Sequence, residues 1–332
     1  MKHSFFSLLA LYLLIFCSLG CNRTKGEIVK EKITGKSDTT HDKEPLSIAI
    51  TIDDLPGVSS NNHQKVSNKL LATLNQFKAP AIGFVNEGRL YRKNKPNQSR
   101  IDLLEDWLET GMELGNHTYS HADYNKLTFE QFASDVMKGE KQTKQLQVKH
   151  GQQMRYFRHP YLHVGNSTEK KEQLEKLLVK EGYTNAPVTI DNSEWIFAKA
   201  YHISLKANKT EQMKNIGNAY VAYMEEMTVY FEKASKQLFD RPIKHILLIH
   251  ANALNGDYLD ELLEMYEQKG YQFITLADAL TDKAYQSTDT YAGPKGISWL
   301  HRWALTQEID NSFFEGEPIC PEFVKTIAGI KD

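Results

Sequence analysis

With 332 residues, 41% hydrophobic and 25% charged at a formal net charge of -2, the chain can bury one large core or two small ones. The near-neutral balance, with no cluster of Lys and Arg, excludes nucleic acid as a main partner. Three cysteines in a chain of this size do not make a disulfide scaffold, so packing must stabilise the fold.

The amino terminus reads as a targeting segment. Lys2 precedes an apolar run from Phe5 to Phe16 that is too short to span a bilayer comfortably, and Ser18-Leu19-Gly20-Cys21 follows. A small residue before a cysteine resembles the bacterial lipoprotein cleavage site. That resemblance implies a signal peptide over 1–20 and a lipidated Cys21 that anchors the protein to a membrane, facing periplasm or cell surface. Ser18 stands where that pattern prefers Leu, so a plain secretory signal, with a soluble secreted or periplasmic product, is the alternative. Either way the protein is exported. Cys17 would leave with the signal, and Cys320 remains as a small buried hydrophobe. Residues 21–44 have Lys, Glu, Thr and Ser but no apolar periodicity, and read as a flexible tether.

From Leu46 onward apolar runs alternate with amphipathic stretches. The pattern predicts strands at 46–52, 81–85, 112–115, 155–157, 187–190, 245–249 and 272–274, and helices near 64–77, 99–110, 128–147, 168–181 and 258–269. An insertion over 208–238 has Met213, Ile216, Tyr220, Tyr223 and Met227 at helical spacing, a stripe that belongs against the barrel wall. Helices between strands imply right-handed crossovers and a parallel sheet. The expected fold is α/β, a distorted barrel of about seven strand-helix units, with the open doubly wound sheet as the alternative. The barrel domain would span 45–282, with 283–332 a C-terminal extension packed on it and forming a wall of the cleft.

The polar signals fall at the ends of predicted strands. Ile48-Ala49-Ile50-Thr51-Ile52 runs into Asp53 and Asp54 and then a Leu-Pro-Gly turn. Adjacent carboxylates repel unless a cation sits beside them. His117 and His121, separated by three residues, would face one way on a helical turn and present two imidazoles to one divalent ion. With an Asp they make a two-His, one-carboxylate set that leaves positions open. Arg158 at a further strand end can clamp a carboxylate, and Pro160 stiffens the turn before Tyr161. Asp191, Glu194 and Trp195 follow another strand, and the apolar run 246–249 closes on His250.

Taken together, these motifs resemble the NodB-homology polysaccharide deacetylases, the carbohydrate esterase family 4 group, across roughly 46–279. Thr51-Ile52-Asp53-Asp54 is similar to that family's Thr-Phe-Asp-Asp, and His117-Thr118-Tyr119-Ser120-His121 to its His-Ser/Thr-x-x-His. Arg158-His159-Pro160-Tyr161 resembles Arg-x-Pro-Phe/Tyr, 191–195 resembles Asp-x-x-Asp-Trp, and Leu248-Ile249-His250 resembles Leu-x-His. The resemblance implies a metal-dependent hydrolase that removes acetyl groups, N-acetyl before O-acetyl, from a polysaccharide or oligosaccharide of peptidoglycan, chitin-like or xylan type. It implies Asp53 as general base, Asp54, His117 and His121 as ligands of a divalent ion, Arg158 as the residue that orients the base, and His250 as general acid. Asp191 or Glu194 would tune that acid, the Tyr161 N–H would face the oxyanion, and Tyr161 and Trp195 would meet sugar. Zinc is the first choice of ion, although the same donors accept cobalt, nickel, iron or manganese. No protein partner is implied. Three departures stand out: Leu55 replaces a Gly, Glu194 replaces the second Asp, and the long insertion before the last motif is not standard. The competing reading is a surface lipoprotein that binds carbohydrate on the same barrel without turning it over.

Overall fold

The structure, a computed structural model, describes residues 45–58 and 62–331. The expected signal peptide, Cys21 and the tether lie outside the described residues. In chain order come β1 (Ser47–Leu55), α1 (His63–Gln76), β2 (Ala81–Val85), a short hairpin of β3 (Tyr91–Arg92) and β4 (Lys95–Pro96), α2 (Gln98–Glu109), β5 (Glu113–Asn116), α3 (Phe129–Lys138) and α4 (Lys141–Lys149). There follow β6 (Tyr156–Phe157), α5 (Thr168–Lys180), β7 (Thr184–Asn185), α6 (Glu194–Lys206), α7 (Thr210–Phe239), β8 (Lys244–His250), α8 (Ala253–Gln268), β9 (Gln272–Ile274), α9 (Leu276–Ala279), α10 (Trp299–Thr306) and α11 (Glu322–Ala328).

β1 is the axis of the sheet. It pairs in parallel with β2 and β8, and its first residues pair with β9 as well. Every residue of β1 is buried, because both faces of the strand are covered, and its sequence up to Ile52 is accordingly mostly apolar. The strands follow the order β7-β6-β5-β2-β1-β8. The result is a curled, parallel α/β half-barrel, which meets the expectation of a distorted barrel.

One stretch of chain links the two edges of this sheet. β7 pairs with β6, and a few residues later Ile190 bridges to Leu247 on β8. The strand expected at 187–190 is therefore displaced: the ladder lies at 184–185, and against β8 there is a single bridge at Ile190, beside which Thr189 N–H donates to Ile246 O at 3.0 Å. Pro187 has no N–H to donate, so the chain crosses between edges there instead of pairing.

Three helices also differ from expectation. The single helix expected over 128–147 is two, parted at Gly139, where an added Cβ would stand 2.5 Å from the carbonyl carbon of Thr118. The loop bearing the two histidines thus packs directly onto the break. α6 was not expected at all, although it buries Phe197, Ala200 and Tyr201. α8 starts at Ala253, ahead of the expected 258, because the Asn252 side chain accepts from the Asn255 N–H at 3.0 Å and caps it. The insertion is one 30-residue helix, α7, with Ile216, Tyr220, Tyr223 and Met227 buried as the stripe requires.

The C-terminal segment lies along the crossing stretch. Trp299 N–H donates to Val188 O at 2.7 Å and the Ser298 hydroxyl to Thr189 O at 2.8 Å. Buried Arg302 pairs with Asp289 at 2.6 Å, and Lys171 of α5 reaches the same carboxylate at 3.1 Å.

Candidate metal centre and active site

Regular alternation would send Asp53 and Asp54 to opposite faces of the sheet. Instead the β1–β2 register slips between Ile52 and Leu55, and Asp54 takes a left-handed φ of 70°. This bulge turns both carboxylates to the same mouth. β1 continues to Leu55, past the strand end expected at 52. Asp53 lies opposite His250 on β8.

The histidines do not sit on a helical turn either. Thr118 and His121 have φ values of 66° and 57°, and the segment is an anchored loop. Asn86 donates to His117 O at 2.7 Å, Gly88 N–H to Tyr119 O at 2.8 Å, and Thr118 N–H to the Asn116 side chain at 2.7 Å. The outcome is the one the spacing was read for, since His117 and His121 converge with ring centroids 4.9 Å apart.

His117 Nδ1 is 2.8 Å from the Arg158 carbonyl. A carbonyl only accepts, so Nδ1 holds the hydrogen and the Nε2 lone pair faces the acids. That Nε2 lies 4.0 Å from Asp54 Oδ1, and His121 Nε2 lies 3.6 Å from it. The three donor atoms are all within 4.8 Å of one another. Burial holds both imidazoles down to about 4, hence neutral. Burial alone would raise the Asp54 carboxyl, but Arg89, 3.5 Å away, and the facing histidines outweigh it and keep the group below the usual carboxylate range.

Asp54 Oδ1 is buried with no hydrogen-bond donor. An anionic oxygen that receives no hydrogen bond, beside two neutral imidazoles, fits a divalent ion.

Asp53 occupies a drier place. Burial raises its carboxyl, opposed by the Arg158 guanidinium, whose Nη1 lies 3.6 Å from Asp53 Oδ1. Arg158 is itself fully buried, donates to the Thr51 hydroxyl at 2.9 Å, and stacks on Phe84 at 4.7 Å. Its orientation is therefore fixed by β1 and β2 together.

On the opposite side, His250 Nδ1 is 2.7 Å from Glu194 Oε2. Glu194 Oε1 accepts from Asn252 at 2.5 Å and from Asn255 at 2.8 Å. Burial works against a charged His250, yet the adjacent Glu194 carboxylate outweighs it and raises the imidazole to about 9. Of the two acids left open by the sequence, Glu194 is thus the partner of His250. Asp191 accepts from its neighbour Asn192 N–H at 2.9 Å, and burial pushes it up to about 7.

Tyr161 and Trp195 are 55% and 52% exposed, unusual for large aromatics in this well-packed chain, and Tyr161 meets the His121 ring edge-on at 4.5 Å. Arg89, Asn252, Asn255 and Tyr220 were not anticipated. Asn252 and Asn255 could have been read as a helix-capping pair just past a strand end, whereas nothing local marks Arg89 or Tyr220.

Residues 40–181 match the polysaccharide deacetylase family. The matched span contains Asp53, Asp54, His117, His121, Arg158 and Tyr161, and ends ahead of Glu194, α7 and His250. No relative was found among curated protein sequences. Solved structures of similar outline include a family 4 carbohydrate esterase from Bacillus anthracis (21% identity, 72% of this chain and 84% of that one, TM-score 0.45). Peptidoglycan deacetylase PdaC from Bacillus subtilis is similar at 20% identity over 73% of this chain and 94% of its own, TM-score 0.45. So is an activity-restored mutant of a family 4 pseudoenzyme from Bacillus anthracis, at 16% identity over 71% and 68%, TM-score 0.45. The deacetylase match therefore covers the metal-side half of the mouth, and the His250 side is described by this chain's own geometry.

Proposed function

We propose that the chain is a polysaccharide deacetylase throughout 45–282, a hydrolase that removes acetyl groups from a carbohydrate with the help of a divalent ion. The observation that carries this reading is the convergence, at one mouth, of the Asp54–His117–His121 set, the Asp53–Arg158 pair and the His250–Glu194 pair. A divalent ion, zinc first, supplies an acidified water and polarises an acyl oxygen in such a site. Asp53 would act as the base toward that water, and burial, which raises its carboxyl, makes it more basic. Arg158 keeps that carboxylate aimed. The Tyr161 N–H faces the developing oxyanion, and Tyr161 and Trp195 offer rings to sugar faces.

His250 completes the reaction. Its Nδ1 is tied to Glu194, so Nε2 delivers the proton to the departing nitrogen or oxygen. An amide needs that proton more than an ester does, because an amide anion is a very poor leaving group, and this favours N-acetyl substrates. The C-terminal segment 283–332 serves as a wall of the cleft: an added Cβ at Gly296 would stand 1.7 Å from Tyr161 O. We further propose export through the segment 1–20 with lipid attachment at Cys21.

The deciding experiment measures acetate release from chitooligosaccharide, peptidoglycan and acetylated xylan, with the purified protein as isolated, after chelation and after zinc is restored. Release that disappears with chelator and returns with metal supports the proposal. Binding to these polymers without any release would instead favour the non-catalytic carbohydrate binder.

A further inference from the structure

Glu194 stands at the first residue of α6, and its carboxylate is completely buried. A carboxylate so placed can rotate unless each oxygen has its own partners. Here Oε1 receives Asn252 Nδ2 and Asn255 Nδ2, which leaves Oε2 to His250. Asn255 is the centre of this arrangement. Its Nδ2 also donates to His250 O at 2.8 Å, and its Oδ1 accepts the Tyr220 hydroxyl at 2.7 Å. Glu194 and a backbone carbonyl can only accept, so the amide must turn its nitrogen toward them, and the Tyr220 hydroxyl secures the opposite end.

Tyr220 comes from α7, the insertion. Three residues further along the same face, the Tyr223 hydroxyl accepts Ser193 N–H at 2.9 Å, at the start of the helix that bears Glu194. The close approach of α7 to α8 depends on Gly217, where a Cβ would stand 1.9 Å from the Tyr258 ring. Tyr220 and Asn255 are fully buried, so neither can touch a substrate.

We infer that Tyr220 and Asn255 are positioning residues that act through Glu194 to hold His250 in proton-donating orientation, which makes α7 a support of the reaction centre as well as a cover for the barrel. This rests on the deacetylase reading of the site. It differs from a purely structural role because it predicts a dependence on the leaving group.

The test uses the full chain with its metal, a series of acetyl donors from 4-nitrophenyl acetate through alkyl acetates to an N-acetylated chitooligosaccharide, and the variants Tyr220→Phe and Asn255→Leu. Thermal melts and elemental analysis accompany the kinetics. On the amide, kcat should fall about 10- to 100-fold in Asn255→Leu, as supporting-residue losses generally do, and at least about threefold in Tyr220→Phe. On the aryl ester, whose leaving group needs no proton, kcat should stay within about twofold of the parent while KM and metal content are unchanged. Equal losses across all donors, or no loss in a folded variant, would overturn the inference. If Asn255→Leu does not fold, Tyr220→Phe, which removes only a hydroxyl, decides the matter. A parent protein that releases no acetate from any donor with metal present sinks the reading of the site itself, a result distinct from either variant outcome.

Discussion

Arg158 and Asp53 face each other at 3.6 Å inside the barrel, both buried and neither one in hydrogen-bonding contact with the other. The guanidinium is fixed by Thr51 and Phe84, so the pair is one of charge and orientation. Removing one member of a buried pair leaves the other charge uncompensated, at a cost of about 3–5 kcal/mol. Arg158→Ala should therefore lower stability by that order in a urea titration and abolish acetate release. A variant as stable as the parent would show that Arg158 does not compensate Asp53.

Asp54→Ala removes the one carboxylate of the ligand set. Metal affinity should fall by more than about 100-fold, beyond what supporting residues cost, and activity should disappear with it. Elemental analysis after dialysis reads this directly, and a full metal complement in the folded variant would refute the assignment of Asp54.

With His250 raised to about 9, the proposed mechanism has a defined alkaline limit. If the protonated imidazole is the acid, kcat should hold through neutral pH and fall as pH rises through about 9. The same shift stabilises the fold: its contribution is complete below the unfolded imidazole's ordinary value of about 6.5 and is lost as pH passes through the folded value. Glu194→Gln removes the charge that raises it, so the alkaline limb should move down by at least about one pH unit. An unmoved limb in the pH profile of kcat would mean that another group sets it.

Gly296 tests the C-terminal wall. A methyl group there meets the carbonyl of Tyr161, whose φ of 58° already lies in the left-handed region, so either the loop or the segment must shift. Gly296→Ala should destabilise by about 1–3 kcal/mol and lower kcat with metal content unchanged. Parent-like kinetics and melting would separate the extension from the site.

The residues proposed for the chemistry could be named from the chain alone, because each is of a type that such chemistry needs and follows a predicted strand. β2 and β8 were readable because buried strands are apolar stretches bounded by turn residues. The orientation of those side chains was not readable. Asp53 and Asp54 share a mouth through a bulge, and His117 and His121 converge through left-handed loop residues, whereas strand and helix periodicity would have predicted otherwise. Which acid pairs with His250 depended on reach and on residues well beyond Glu194 in the chain, as Tyr220, Asn252 and Asn255 show. Local pattern encodes which groups are present and which face of an element is buried; only packing between distant segments decides which oxygen meets which nitrogen, because hydrogen-bond partners are chosen by ångström-scale geometry that no sequence spacing records.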